Sequence, residues 1–293
     1  MTRSEASESV SPTAHYTGYV WYRNGLSDPA LTTTEGRILF MSLHPLMTAS
    51  AALGRPSLET YLLARHRAID LLLERAIERE QITQVVEVAA GLSPRGWRFT
   101  RRYGDRITYV EADLPAMAAR KRAALTRAGS LGERHQVRDL DALKDSGPDS
   151  LPALAGELEP GAGLAVITEG LLGYLAPPDV RAIFRRVAAT LSRFERGRYI
   201  SDLHIGGAQT IEVRGFRVLL SAFVRGRVYL HFADAAEAEA TLRQAGFADV
   251  KIERATAVTG DPPTRGAALA HILEASTLLS ARGSIDDRSH ALQ

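Results

Sequence analysis

Residues 85–96 read Val85-Val86-Glu87-Val88-Ala89-Ala90-Gly91-Leu92-Ser93-Pro94-Arg95-Gly96. Val85 to Ala89 is a short apolar run, too brief for a helix, so it reads as a buried strand. Gly91 to Pro94 is a turn. Ser93 is placed to cap a following helix, with Pro94 at the first helical position. Strand, glycine turn and helix in this order open an α/β unit. The turn is not the G-x-G-x-x-G fingerprint, because a pyrophosphate requires several close backbone approaches. A single Gly followed by Leu suits a smaller group.

The same alternation continues downstream. Strands are predicted at Ile107–Glu111, Arg134–Arg138, Leu164–Thr168, Tyr199–Leu203, Val250–Glu253 and Ala268–Glu274, and helices at Ala116–Ala128, Pro178–Ser192 and Ala235–Ala245. Short apolar strands between helices predict a mostly parallel sheet covered on both faces. Ligands of such sheets sit beyond the carboxyl ends of the strands. Glu111, Asp113 and Glu169 all fall at or just past strand ends. Upstream, Leu58 to Glu80 has the 3.6-residue period of a long amphipathic helix. Residues 14–60 are aromatic-rich, and Pro29, Pro45 and Pro56 are expected to break them into short helices. Residues 1–13 and 281–293 read as polar tails, and 205–232 as an insertion after the fifth strand.

The chain has 293 residues, 45% hydrophobic and 24% charged, with a formal net charge of +2 and no cysteine. That composition is ordinary for a globular protein. The missing cysteine excludes disulfides, a thiolate nucleophile and cysteine zinc sites. The charge is uneven: residues 95–138 hold eleven Lys/Arg against four Asp/Glu. That stretch reads as solvated helix faces rather than a nucleic-acid surface, because it lacks interleaved aromatics. There is no apolar core of a signal peptide and no run of the ~20 apolar residues that a membrane span needs. A cytoplasmic protein with no membrane and no nucleic-acid partner is expected.

Five segments, in order, carry a resemblance. They are Tyr61-Leu62-Leu63-Ala64-Arg65, the 86–96 segment above, Tyr109-Val110-Glu111-Ala112-Asp113-Leu114-Pro115, Asp139-Leu140, and Glu169-Gly170-Leu171-Leu172-Gly173-Tyr174-Leu175. Together they resemble the leucine carboxyl methyltransferase family of S-adenosylmethionine (SAM) enzymes, nearest to its bacterial polyketide O-methyltransferases of the tetracenomycin type. The resemblance implies an α/β, Rossmann-like class I methyltransferase fold of seven strands, a mostly parallel sheet under an N-terminal helical cap. It implies that Arg65 pairs with the methionine carboxylate and that the Ala89–Gly91 turn passes under the methionine part and ribose. Asp113, with Glu111 beside it, would hold the ribose hydroxyls. Asp139 and Leu140 would flank the adenine, and Glu169 would bind the methionine ammonium or lie against it. Two positions depart from the family: Ala89 stands where its first turn has Gly, and Ser93 where it has an acid.

An acceptor carboxylate is already ionised at neutral pH and needs only orientation, whereas a phenol calls for a base such as His. Tyr174, His204 and Arg214 are the expected catalytic residues. Tyr16, Tyr19, Trp21 and His231 are the expected contacts to the acceptor, and an aromatic cap suits an aromatic, polyketide-like small molecule. No metal is expected, since the histidines lack ligand spacing. The oligomeric state is left as monomer or homodimer. A SAM-binding protein without turnover and a protein C-terminal carboxyl methyltransferase are the alternatives.

Overall fold

The computed structural model describes residues 12–52, 55–79, 82–206, 229–262 and 264–278. Its centre is a seven-stranded sheet in the order β3-β2-β1-β4-β5-β7-β6. The strands are β1 Ile82–Val88, β2 Thr108–Asp113, β3 His135–Asp139, β4 Gly163–Thr168, β5 Arg196–Leu203, β6 Asp249–Arg254 and β7 His271–Ser276. β7 runs antiparallel to both β5 and β6, and the other neighbours are parallel. The strand order reverses between the parallel neighbours β1 and β4, so the crevice at their carboxyl ends is the topological switch point. This is the fold the sequence implied.

Burial explains the strands. Every residue of β4 is buried, and β1 exposes only Thr83. Val86, Val88, Leu164 and Val166 pack on one side of the sheet, and Val85, Ala165 and Ile167 on the other. Helices α1 Pro12–Arg23, α2 Thr34–Ala52, α3 Leu58–Arg79, α4 Arg95–Tyr103, α5 Pro115–Arg127, α6 Leu151–Ala155, α7 Pro177–Leu191, α8 Ala235–Ala245 and α9 Ala255–Thr259 are the described α-helices. α3 buries Leu62, Ile69, Leu72, Leu73 and Ile77, the stripe its period predicted. α8 ends at Gly246, whose φ of 112° only glycine adopts readily.

The structure corrects several boundaries. α2 runs through Pro45, which lies inside the helix and is exposed. A proline there removes one backbone N–H, and packing on α1 through Tyr16 and Phe40 holds the helix regardless. The last strand begins at His271, because Ala267–Leu269 is a 3₁₀ turn. β2 extends to Asp113, so that carboxylate ends the strand itself. α4 starts after Pro94, and the Ser93 hydroxyl accepts from Arg95 N–H at 3.3 Å. Residues 207–228, most of the expected insertion with Arg214 in it, lie outside the described residues, as do 1–11 and 279–293.

Candidate active site

A cavity of about 340 Å³ opens at the carboxyl ends of β1, β2, β3 and β4. Its floor is Val88 to Leu92, its sides include Asp113, Leu140, Asp141 and Glu169, and α1 covers it with Thr13, Ala14, Thr17 and Trp21. Two backbone features shape the floor. Ala89 has a φ of 55° and Gly91 a φ of 51°. Gly91 tolerates that conformation freely, whereas Ala89 crowds its Cβ against the following carbonyl, at ~1–2 kcal/mol. Ala89→Gly is therefore expected to raise stability by up to ~1 kcal/mol, after subtracting the entropy glycine loses on folding. A rise in Tm without loss of ligand affinity is the result that checks it.

Asp113 fastens the floor. Its Oδ2 accepts from Gly91 N–H at 2.7 Å and its Oδ1 from Leu114 N–H at 2.8 Å. A carboxylate has about four lone-pair sites, so two stay available on the cavity side. Burial pushes the Asp113 carboxyl up from its usual value, against the pull of the two N–H groups. Leu140 lines the cavity, followed by Asp141, whose carboxylate caps the Leu143 N–H at 2.9 Å. Asp139 points outward and pairs with Arg122 at 3.2 Å.

Glu111 lies behind this wall, fully buried. It receives His135 Nε2–H at 2.6 Å and is paired with Lys121, which also donates to Ala90 carbonyl at 3.3 Å. Burial, with the Lys121 ammonium beside it, holds His135 down at about 4. The ring is therefore neutral and can give Nε2–H to the carboxylate. Glu111 thus supports the Ala89–Gly91 turn through Lys121 and contributes no wall to the cavity.

Glu169 and Arg65 face the cavity from β4 and α3. Glu169 is gripped by Arg65 Nε at 3.1 Å, His66 Nδ1 at 2.8 Å and Arg95 Nη2 at 2.6 Å. Arg65 also reaches Asp202 at 3.2 Å, and Asp202 accepts the Gly170 N–H at 2.7 Å. Gly170, at φ 70°, is needed here, because a Cβ would stand 2.9 Å from Arg65 Nη2. Behind them Arg95 is fully buried and bridges Asp70 at 2.7 Å, Glu87 at 2.5 Å and Glu169 at once. Arg98 completes the group on Asp70 at 2.5 Å.

Burial by itself would raise Glu169 and Asp70, but His66 and the surrounding guanidinium groups hold both below their usual values of 4.5 and 3.8. A carboxylate depressed in the fold adds stability above its unfolded pKa and loses it as pH falls through the lower folded value. Stability is therefore expected to fall on acidification from about pH 4.5 downward. A Tm series against pH measures this, and Glu169→Gln should flatten the slope.

The remaining expected residues are spread. Trp21 lines the cavity, its ring 4.7 Å from that of His66, and Tyr174 lines it from the turn after β4. Tyr16 and Tyr19 instead pack on Phe40, with ring centroids 5.7 and 5.3 Å away. His204 sits behind Gly173, its Nε2 3.3 Å from the Tyr61 hydroxyl, and is not on the cavity wall. His231 is tied to the Leu172 carbonyl at 2.9 Å. Sequence reading missed Arg95, Glu87, Asp70 and His66 as site residues. Glu87 gave the available signal: a carboxylate inside a buried strand must have a partner.

The family model described as "LCM: Leucine carboxyl methyltransferase" matches residues 28–188, more than half of the chain. The chain belongs to the leucine carboxyl methyltransferase family. Two curated relatives, from Mycolicibacterium gilvum and Mycobacteroides abscessus, are each named "Putative S-adenosyl-L-methionine-dependent methyltransferase". The first is 36% identical over 100 residues, covering 34% of this chain and 31% of the relative. The second is 34% identical over 106 residues, covering 36% and 32%. The matched stretch thus spans about a third of each relative's length. A DUF574 family protein from Streptomyces avermitilis shares the fold at TM-score 0.63 and 15% identity, over 91% of this chain and 97% of that one. PigF, solved with S-adenosylhomocysteine (SAH), does so at TM-score 0.50 and 19% identity, over 73% and 56%.

Membership makes SAM the cofactor, and the cavity's donors and acceptors fit it. Asp113 has acceptor sites left for hydroxyls. Arg65 spends two of its nitrogens on Glu169 and Asp202, and the guanidinium has donors over for a carboxylate. The acidic Glu169 side chain suits an ammonium.

Proposed function

We propose that this family member is a SAM-dependent methyltransferase that methylates an oxygen of a small molecule, a carboxylate in preference to a hydroxyl. The observation that supports the reading most is the convergence of Asp113, Arg65 and Glu169 on one cavity at the switch point of the sheet. When bound, SAM supplies an electrophilic methyl group on a sulfonium. The chain's own residues bind and orient. Asp113 would accept from the ribose hydroxyls, Leu140 and the adjoining Asp141 turn would flank the base, and Arg65 with Glu169 would hold the amino-acid end. Trp21 and the rest of α1 cover the cavity and exclude water. Alignment of this kind supplies ~7–11 kcal/mol of a displacement barrier.

The preference for a carboxylate rests on the ionisable groups of the wall, which among the described residues are Arg65, Asp113, Asp141, Glu169 and Tyr174. Each of the carboxylates is engaged by the protein, and burial raises the Tyr174 phenol, which keeps it a neutral donor. An acceptor that arrives already ionised needs none of them as a base. The enclosing α1 supports a small acceptor over a protein C-terminus. Trp21 supports an aromatic one, including a polyketide-like acid. The test is mass spectrometry of aromatic acids and their phenol counterparts incubated with the protein and SAM. Methyl esters support the reading, and methyl ethers alone overturn the carboxylate preference.

A second reading, SAM binding without turnover, is favoured by the strained Ala89. Calorimetry separates the two. SAM bound but never consumed across the panel supports the second, and absence of SAM binding removes both.

A further inference from the structure

Tyr61 lies one helical turn before Arg65 on α3 and is buried. Its hydroxyl meets two groups. On one side the Arg65 guanidinium hydrogen-bonds it, with Arg65 Cζ 5.6 Å from the centroid of the Tyr61 ring. On the other side His204 Nε2 lies 3.3 Å away. A guanidinium can only donate, so the Tyr61 oxygen accepts there and its own proton is left for the imidazole nitrogen. Burial holds His204 below its usual value, so near neutral pH the ring has a lone pair to take that proton. Burial raises the Tyr61 phenol, which keeps the proton on it. Gly173 makes room for the imidazole, because a Cβ there would stand 2.9 Å from His204 Cε1. Arg65, Tyr61 and His204 thus form a line from the cavity wall to the end of β5. Among the described residues, only the first of the three lines the cavity.

Resting on the proposed function, we infer that Tyr61 is a positioning residue for the amino-acid end of SAM: anchored by His204, its hydroxyl fixes the Arg65 guanidinium against the ligand carboxylate. Glu169 and Asp202 already take Arg65 Nε and Nη1. Both are anions and hold the cation mainly by charge. The Tyr61 hydroxyl is neutral and directional. It gives the guanidinium a third fixed point without a third negative charge beside the incoming carboxylate, which a further acid would repel. The donors that Arg65 has left over then keep their direction into the cavity.

The experiment is calorimetric titration of the full chain with SAH and with methylthioadenosine, which keeps the nucleoside and the sulfur but has no amino-acid end. Tyr61→Phe removes one hydroxyl and keeps the ring. It is expected to weaken SAH by roughly three- to tenfold, the order for one hydrogen bond, and to leave methylthioadenosine unchanged. His204→Ala is expected to act in the same direction and by less. Arg65→Met should show the same split at larger size, and adding Tyr61→Phe to it should cost nothing more. Equal weakening of both ligands by Tyr61→Phe would show a purely structural role and overturn the inference. So would an unchanged SAH affinity, or a full additional loss in the Arg65→Met background. His204→Ala cuts the same line from the β5 side, so a folding defect in one variant leaves the other to decide. If wild type binds neither ligand, the methyltransferase reading itself fails, a result distinct from a loss spread over both ligands.

Discussion

Replacing Asp113 by Asn is expected to lower SAH affinity by about 100-fold, a loss of two charge-assisted hydrogen bonds to ligand hydroxyls. The side chain has two duties at once. It accepts from Gly91 and Leu114 N–H groups on one side, and it offers its remaining lone pairs to the cavity on the other. Asn keeps the shape but has one acceptor oxygen, so its NH₂ must face one of those two N–H donors. The turn then loses a bond as well, at ~1–3 kcal/mol for a buried unsatisfied donor. Calorimetry reads the affinity and thermal unfolding reads the turn.

The same carboxylate predicts a pH dependence. Burial raises its pKa, so on acidification it takes up a proton earlier than an ordinary Asp with its value of 3.8. A protonated carboxyl has fewer acceptor sites for ligand hydroxyls. Affinity is therefore full above the raised value and falls as pH decreases through it, and the Asn variant should lack this inflection. An Asn variant with wild-type affinity would remove Asp113 from the ligand.

The second large effect is on folding. Arg95→Leu leaves Asp70, Glu87 and Glu169 buried without their shared cation. Removing one partner from a buried ion pair costs ~3–5 kcal/mol, because the remaining charge has neither water nor a counterion. Here Glu87 loses its guanidinium partner outright, while Asp70 keeps Arg98 and Glu169 keeps Arg65, and a typical domain has only ~5–15 kcal/mol to lose. The variant is expected to lose its cooperative unfolding transition near neutral pH and to recover structure when the carboxylates are neutralised. Adding Glu87→Gln should return part of the lost stability. A cooperative Arg95→Leu protein with near wild-type Tm would show that the cluster is not what joins α3, β1, α4 and β4.

Both effects meet at residues that were unequally visible in the sequence. Asp113 follows an apolar strand at a spacing that suits a hydroxyl-binding acid. Glu169 follows four apolar residues and Thr168, a run that demands a strand, so its place at a strand end was clear. Its partners were not, because Arg65, His66, Arg95 and Asp202 come from three other elements. Asp139 and Glu111 show the opposite case. Each lies beside a strand end in the sequence, but Glu111 sits two residues deeper in β2 than Asp113, where His135 and Lys121 take it, and Asp139 ends the edge strand β3, where it pairs with Arg122. Aromatic clusters suit flat ligands, which makes Tyr16 and Tyr19 expected ligand contacts on sequence alone. The helical period instead turns them onto Phe40, while Trp21 reaches the cavity.

The sequence by itself determined the fold class and the end of the sheet where the site lies. Those follow from local pattern: apolar runs of strand length, glycine turns, and acids at strand ends. Only the tertiary structure decided which charges share a site, since a guanidinium in α4 and carboxylates in α3, β1 and β4 have no common period along the chain. Ion pairing in a dry interior depends on distances of a few ångströms between such elements. Packing of the helices on the sheet sets those distances.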